Sequence, residues 1–145
     1  MTSVKEKYLI LLVEDNEGDA VLAREALLHI KSKTELLHVY NGDEALEYLF
    51  EGDNRKPDLI LLDLNLPGMN GIELLQILKK DPSTENISVV VFSTSNSDSD
   101  IKECFRYKAD KYITKPIDLS EFFDIFRQID EYMSNNFNMR DCNGK

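Results

Sequence analysis

Asp63 follows four aliphatic residues, Leu59-Ile60-Leu61-Leu62, and precedes Leu64-Asn65-Leu66-Pro67-Gly68. Such a run reads as a strand buried on both faces, and the polar group behind it stands where a parallel strand delivers side chains to a surface crevice. Asp63 is therefore a candidate reactive carboxylate, although an Asp can also simply end a strand. A second run, Tyr8-Leu9-Ile10-Leu11-Leu12-Val13, ends in Glu14 and Asp15. Ser88-Val89-Val90-Val91-Phe92 ends in the hydroxyls Ser93, Thr94 and Ser95, and Lys111-Tyr112-Ile113-Thr114 ends in Lys115-Pro116.

Carboxylates packed within roughly 5 Å repel by about 3 kcal/mol per pair at an effective dielectric near 20, so Glu14, Asp15 and Asp63 together call for a cation. Magnesium takes oxygen ligands, keeps several waters and shares them with phosphate; Glu14 or Asp15, Asp63 and the main-chain carbonyl of Asn65 suit it. Zinc fits poorly, because no Cys or His is placed to help. Lys115 and Ser93 bring a cation and a hydroxyl donor to the remaining oxygens of a phosphoryl group. The set predicts that Asp63 attacks a phosphoryl group and becomes an aspartyl phosphate. The plainer readings are a solvated acid pair at a helix start, a surface lysine, and a Ser93 whose register is shifted by one against Thr94.

The elements that must position these residues follow in order. Ala20, Ala23, Leu27 and Ile30 predict a helix over 19–30, with Asp19 available to cap its start. Leu36 to Tyr40 predict a short strand, Asn41-Gly42-Asp43 a turn, and Ala45, Leu46 and Leu49 a helix ending near Phe50. A polar loop over 51–58 leads into the Asp63 strand. Ile72, Leu75 and Leu78 mark a helix that stops before Asp81-Pro82. A further helix spans about 99–107, and Phe122, Ile125, Phe126, Ile129, Tyr132 and Met133 mark a longer one from Leu119. Five strands alternating with five helices predict an α/β domain, a parallel sheet covered on both faces. The strands' carboxyl ends then share one edge, where Glu14, Asp15, Asp63, Ser93 and Lys115 converge. His29 and His38 fall away from that edge and read as structural. Phe122, Phe123 and Phe126 are more aromatics than one helix face readily buries, which points Phe123 toward a partner interface.

The 145 residues, 42% of them hydrophobic, fit a single domain over 1–145, with a core over about 8–133 and a polar, frayed tail over 135–145. A net charge of -10, from 27 acidic against 17 basic residues, argues against binding a nucleic-acid backbone or anionic lipid. No apolar run approaches the roughly 18 residues of a membrane span, and no leader pattern opens the chain, which predicts a soluble, cytoplasmic protein. Cys104 and Cys142 show neither metal nor redox spacing and read as free thiols in a reducing compartment.

Four separated motifs, Val13-Glu14-Asp15, Leu62-Asp63-Leu64-Asn65-Leu66-Pro67, Phe92-Ser93-Thr94 and Tyr112-Ile113-Thr114-Lys115-Pro116, resemble the receiver domains of bacterial two-component response regulators over residues 8–133. The resemblance implies the three-layer flavodoxin-like fold, five parallel strands in the order 2-1-3-4-5 with five helices. It implies Asp63 as phosphoacceptor, Glu14, Asp15, Asp63 and the Asn65 carbonyl as the magnesium site, Ser93 as switch hydroxyl, and Tyr112 as an aromatic that turns inward on activation. Lys115 would bind phosphate and precede a cis peptide to Pro116. The implied partner is a sensor histidine kinase, and Val13-Glu14-Asp15-Asn16 with Gly18-Asp19-Ala20, the 51–57 loop and Val89 to Ser95 look most like the stand-alone regulators paired with bacterial phytochromes. Output would pass through the fourth helix, last strand and last helix, to a partner or a second copy, since no output domain follows residue 135. Lys108 stands where many receivers have Gly, and takes either a left-handed conformation or a different helix ending.

The alternative is a phosphatase or phosphotransferase of the haloacid dehalogenase type, which shares a strand-end Asp nucleophile and magnesium. That chemistry asks for a general acid two residues on, where this chain has Asn65.

Overall fold

The aliphatic runs form strands walled by helices, and the pleat decides which wall each side chain meets. The structure, a computed structural model, describes residues 7–137. The elements run β1 (Tyr8–Val13), α1 (Glu17–Leu27), β2 (Thr34–Val39), α2 (Gly42–Phe50), β3 (Leu59–Leu62), α3 (Gly71–Lys80), β4 (Ser88–Ser93), α4 (Asp98–Arg106), β5 (Lys111–Thr114) and α5 (Leu119–Asn136). All four pairings are parallel, in the order β2-β1-β3-β4-β5, as the resemblance implied.

Alternate residues of β1, β3 and β4 serve opposite layers. Ile10, Leu12, Leu59, Leu61, Val90 and Phe92 pack with Ala20, Ala23 and Leu27 of α1 and Phe122, Phe126 and Ile129 of α5. Leu11, Val13, Ile60, Leu62, Val89 and Val91 pack instead with Leu49 of α2, Leu74, Leu75 and Leu78 of α3 and Cys104 of α4. Strands buried on both faces need unbroken aliphatic sequence, which is why β1 and β3 read as runs while the edge strands β2 and β5 do not.

The same parity continues past the strand ends. Glu14 N–H donates to Val39 O at 3.0 Å and Asp63 N–H to Val13 O at 3.1 Å, carrying the ladder one residue beyond β1 and β3. Glu14 and Asp63 thereby share the pleat phase of Leu12 and Leu61, the side of α1 and α5. Lys115 follows Ile113, which packs on that side too, whereas Ser93 and Tyr112 share the phase of the α2-α3-α4 side.

Several boundaries differ from the sequence expectation. Helix α1 starts at Glu17 because Asn16, not Asp19, is its cap, accepting from Asp19 N at 2.9 Å. It ends at Leu27, so His29 and Ile30 lie outside it. Helix α5 runs through Asn136, and Phe137, expected in a frayed tail, is 2% exposed with its ring edge-on to Tyr8 at 5.5 Å. The rest of the expected tail, with Cys142, lies outside the described residues. Phe123 is half-buried, its ring 5.5 Å from that of His29, and so belongs to the packing between α1 and α5 rather than to a free aromatic face.

Lys108 takes the left-handed conformation, φ 74°, between α4 and β5. The bond between Lys115 and Pro116 is trans, like every described peptide, against the cis form implied by resemblance. The trans preference of such a bond is only about 0.5–1 kcal/mol, so the surroundings select the isomer and a short motif does not. Among the described residues no helix is long and apolar enough to cross a membrane.

Candidate functional site

At the carboxyl edge of the sheet, oxygens of Glu14, Asp15 and Asp63 lie within 4.8 Å of one another. Glu14 and Asp63 are buried, at 2% and 6% exposure, while Asp15 is exposed. Three hard oxygen donors with one side open to solvent fit a hard divalent ion that keeps some of its waters. Among the described residues no soft donor joins them, as zinc would favour. Asn65 is exposed in the following loop, where its N–H donates to Asp63 Oδ1 at 3.1 Å and so fixes the rotation of that carboxylate.

Lys115 reaches the same cluster from the end of β5. Its Nζ donates to Glu14 Oε1 at 2.6 Å, Asp19 Oδ2 at 2.9 Å and Asp63 Oδ2 at 3.3 Å, with the Phe92 ring 5.8 Å away. Burial by itself would lower the Lys115 pKa, but its hydrogen bonds to Glu14 and Asp19 and the charges of Glu14 and Asp63 hold it above its ordinary range. The side chain is therefore an ammonium at any physiological pH. Burial pushes the Glu14 carboxyl upward, with Lys115 pulling it back and the Asp63 charge adding to the rise. Four acidic side chains face one ammonium, so a divalent cation relieves repulsion on binding even with Glu14 pushed toward its neutral form.

Ser93 and Tyr112 meet at a different point. Ser93 is fully buried and its Oγ accepts from Ser95 N at 3.3 Å; neither Asp63 nor Lys115 bonds that hydroxyl among the described residues. Tyr112 is partly buried, and its hydroxyl donates to Ser95 O at 2.7 Å. Ser95 Oγ in turn donates to Asp100 Oδ2 at 2.6 Å in the first turn of α4. Ser95 thus ties β4, β5 and α4 together, a role its place in a run of hydroxyls did not reveal. Thr94, the rival to Ser93, is exposed and takes a 3.5 Å hydrogen bond from Asn65 Nδ2.

Three further residues escaped the sequence reading. Asp19 was assigned to capping and instead binds Lys115. His38 was placed away from the rim, yet its Nε2 lies 2.7 Å from Glu14 O, where only a protonated ring nitrogen can donate. Gly71 donates to Leu64 O at 3.0 Å, bringing the start of α3 against the segment that carries Asp63. An alternation of apolar and polar residues signals none of these contacts.

The response regulator receiver domain family matches residues 10–127. The chain is 34% identical over 128 residues to the response regulator Rcp1 of Synechocystis sp., covering 86% of this chain and 87% of that protein. It is also 34% identical to a methanogenesis regulatory protein, described as probable, FilR2 of Methanothrix harundinacea, covering 88% and 84% of the two. Among solved structures, the phosphorylated cyanobacterial phytochrome response regulator RcpA is 42% identical, with a TM-score of 0.82 over 87% of this chain and 93% of that one. The manganese-bound form of Rcp1 superposes with a TM-score of 0.82 at 32% identity, over 89% and 96%. These relatives give the haloacid dehalogenase alternative no support, and the amide at Asn65, turned to Thr94, gives it no general acid. With the sheet order, the acidic rim and the family match in agreement, the chain belongs to the response regulator receiver domains, the phosphoacceptor modules of two-component signalling.

Proposed function

We propose that Asp63 is the phosphoacceptor and that a sensor histidine kinase is its donor. One carboxylate oxygen of Asp63 forms the new P–O bond as the P–N bond of a phosphohistidine breaks, and the imidazole leaves with the electron pair and takes up a proton. Glu14, Asp15, Asp63 and the Asn65 carbonyl would hold Mg2+. That ion, when bound, offsets charge on the transferred oxygens. Lys115 supplies a fixed ammonium to the same oxygens. The observation that carries the reading is the meeting of Lys115 with a buried Asp63 inside the acidic cluster.

Ser93 would turn from Ser95 N to a phosphoryl oxygen and act as the switch hydroxyl. Because Ser95 also holds Tyr112 and Asp100, that turn would loosen the loop between β4 and α4 and move Tyr112. Phosphate then biases two arrangements of the α4–β5–α5 face through contacts present in one of them. Phe105, Ile117 and Leu119 on that face are exposed, which suits a phosphorylation-dependent partner or second copy. The similarity to RcpA, a phytochrome response regulator, supports a kinase of the bacterial phytochrome kind.

Incubation with Mg2+ and acetyl phosphate, followed by intact mass, tests the assignment. A phosphoryl adduct on the wild type and none on Asp63→Asn is expected. An equal adduct on both would overturn it. Size-exclusion chromatography of the two forms then reads the proposed dimerisation.

A further inference from the structure

An ammonium has three N–H donors, and in this structure all three donors of Lys115 have acceptors. The two short contacts go to Glu14 at 2.6 Å and Asp19 at 2.9 Å; the long one, at 3.3 Å, goes to Asp63. Lys115 therefore leans toward α1 and away from the residue whose phosphoryl group it would serve. Glu14 is committed to the cluster through its other oxygen, which accepts from Asn16 N at 3.1 Å. Asp19 has no such commitment: its Oδ2 accepts from Lys115 alone among the described residues, and its side chain is 33% exposed.

We propose that Asp19 is a positioning residue that holds Lys115 back in the unphosphorylated state, so that formation of the phosphoryl–Lys115 contact requires the Asp19–Lys115 bond to break. This rests on the role of Lys115 given above. A phosphoryl group on Asp63 places its oxygens beyond the carboxylate, and Nζ must move toward them. Leaving Asp19 costs a charge-assisted hydrogen bond that water takes over only in part, because the Lys115 side chain is 6% exposed. The carboxylate left behind is the more exposed partner of the pair and can be hydrated where it stands, so the latch is releasable. Placement in the first turn of α1 suits this. That helix is capped by Asn16 and does not need the Asp19 side chain.

The test is the binding of beryllofluoride, a non-covalent phosphoryl mimic, by isothermal titration at saturating Mg2+, with Mg2+ affinity measured separately. Asp19→Asn removes the charge at constant shape and is expected to tighten beryllofluoride binding by about threefold to tenfold, the span of a partly exposed to a partly buried charged contact. Asp19→Glu, which keeps the charge within reach of Nζ, is expected to stay within about twofold of the wild type, since each tenfold is a full 1.4 kcal/mol. Mg2+ affinity should fall or hold, because Asp19→Asn removes a nearby negative charge. Unchanged or weaker beryllofluoride binding in Asp19→Asn overturns the latch, as does equal tightening in Asp19→Glu. Lys115→Ala separates the two levels. If it binds beryllofluoride like the wild type, the phosphate-binding role of Lys115 fails; if it loses binding while Asp19→Asn is unaltered, only the latch fails.

Discussion

Gly71 leaves the space that the main chain of Asp63 occupies: a Cβ at Gly71 would run into the Asp63 carbonyl oxygen and stand 2.7 Å from Leu64 Cα. Both obstacles are backbone, so neither can turn aside. Gly71→Ala is expected to destabilise the fold by about 1–3 kcal/mol, as overpacking does. It should also slow phosphorylation by acetyl phosphate, because the shift falls on the segment that aims Asp63. Urea unfolding and the rate of adduct formation by intact mass read the two effects.

Divalent cations should stabilise the chain. An ion that binds the folded cluster and not the unfolded chain adds about 2.7 kcal/mol at a hundred times its dissociation constant. Thermal unfolding in Mg2+ against EDTA is expected to show a higher midpoint with the metal. Asp15 is exposed and makes no hydrogen bond through its side chain among the described residues. Asp15→Asn should therefore keep the midpoint in EDTA and lose most of the rise.

Phe137 closes the layer formed by α1 and α5, with Tyr8 at 5.5 Å and Tyr132 at 6.0 Å between ring centroids. Phe137→Ala is expected to cost about 3–5 kcal/mol in urea unfolding, the range for a buried aromatic. A change below about 0.5 kcal/mol, the level of an ordinary surface site, would contradict the packing described.

Burial pushes the Cys104 thiol up to about 11 from an ordinary 9.0, with the charges of Asp100 and Glu103 adding to the rise. A raised acid favours its neutral form, so this burial stabilises below pH 9 and the contribution is lost as pH climbs toward 11. At pH 8 the native thiolate fraction is about 100-fold lower than in the unfolded chain. In a Cys142→Ser background, labelling by a thiol-specific disulfide reagent should be slower by at least that factor in buffer than in urea.

The aliphatic runs and the 3.6-residue spacing announced five strands and five helices because each signal is local. A buried strand must be apolar along its length, and a helix must be apolar along one side. The residues that end the strands were legible for the same reason: Glu14, Asp15, Asp63 and Lys115 follow directly on their runs, and a parallel sheet puts such ends on one edge. Ser93 is itself the last residue of β4, one position further along the strand than the apolar run.

Tertiary structure decided what those residues touch. Lys115 and Asp19 are 96 positions apart, and the sequence marks Asp19 as a helix cap. The cap went to Asn16 and the carboxylate to the ammonium, a competition settled by reach in three dimensions. His38 found the Glu14 carbonyl across 24 positions, and Gly71 found the Asp63 backbone where α3 returns over β3. Periodicity reports which side of an element is apolar. It holds no information on which polar atom a side chain meets once several acceptors lie within its span, and that choice fixes the resting position of Lys115.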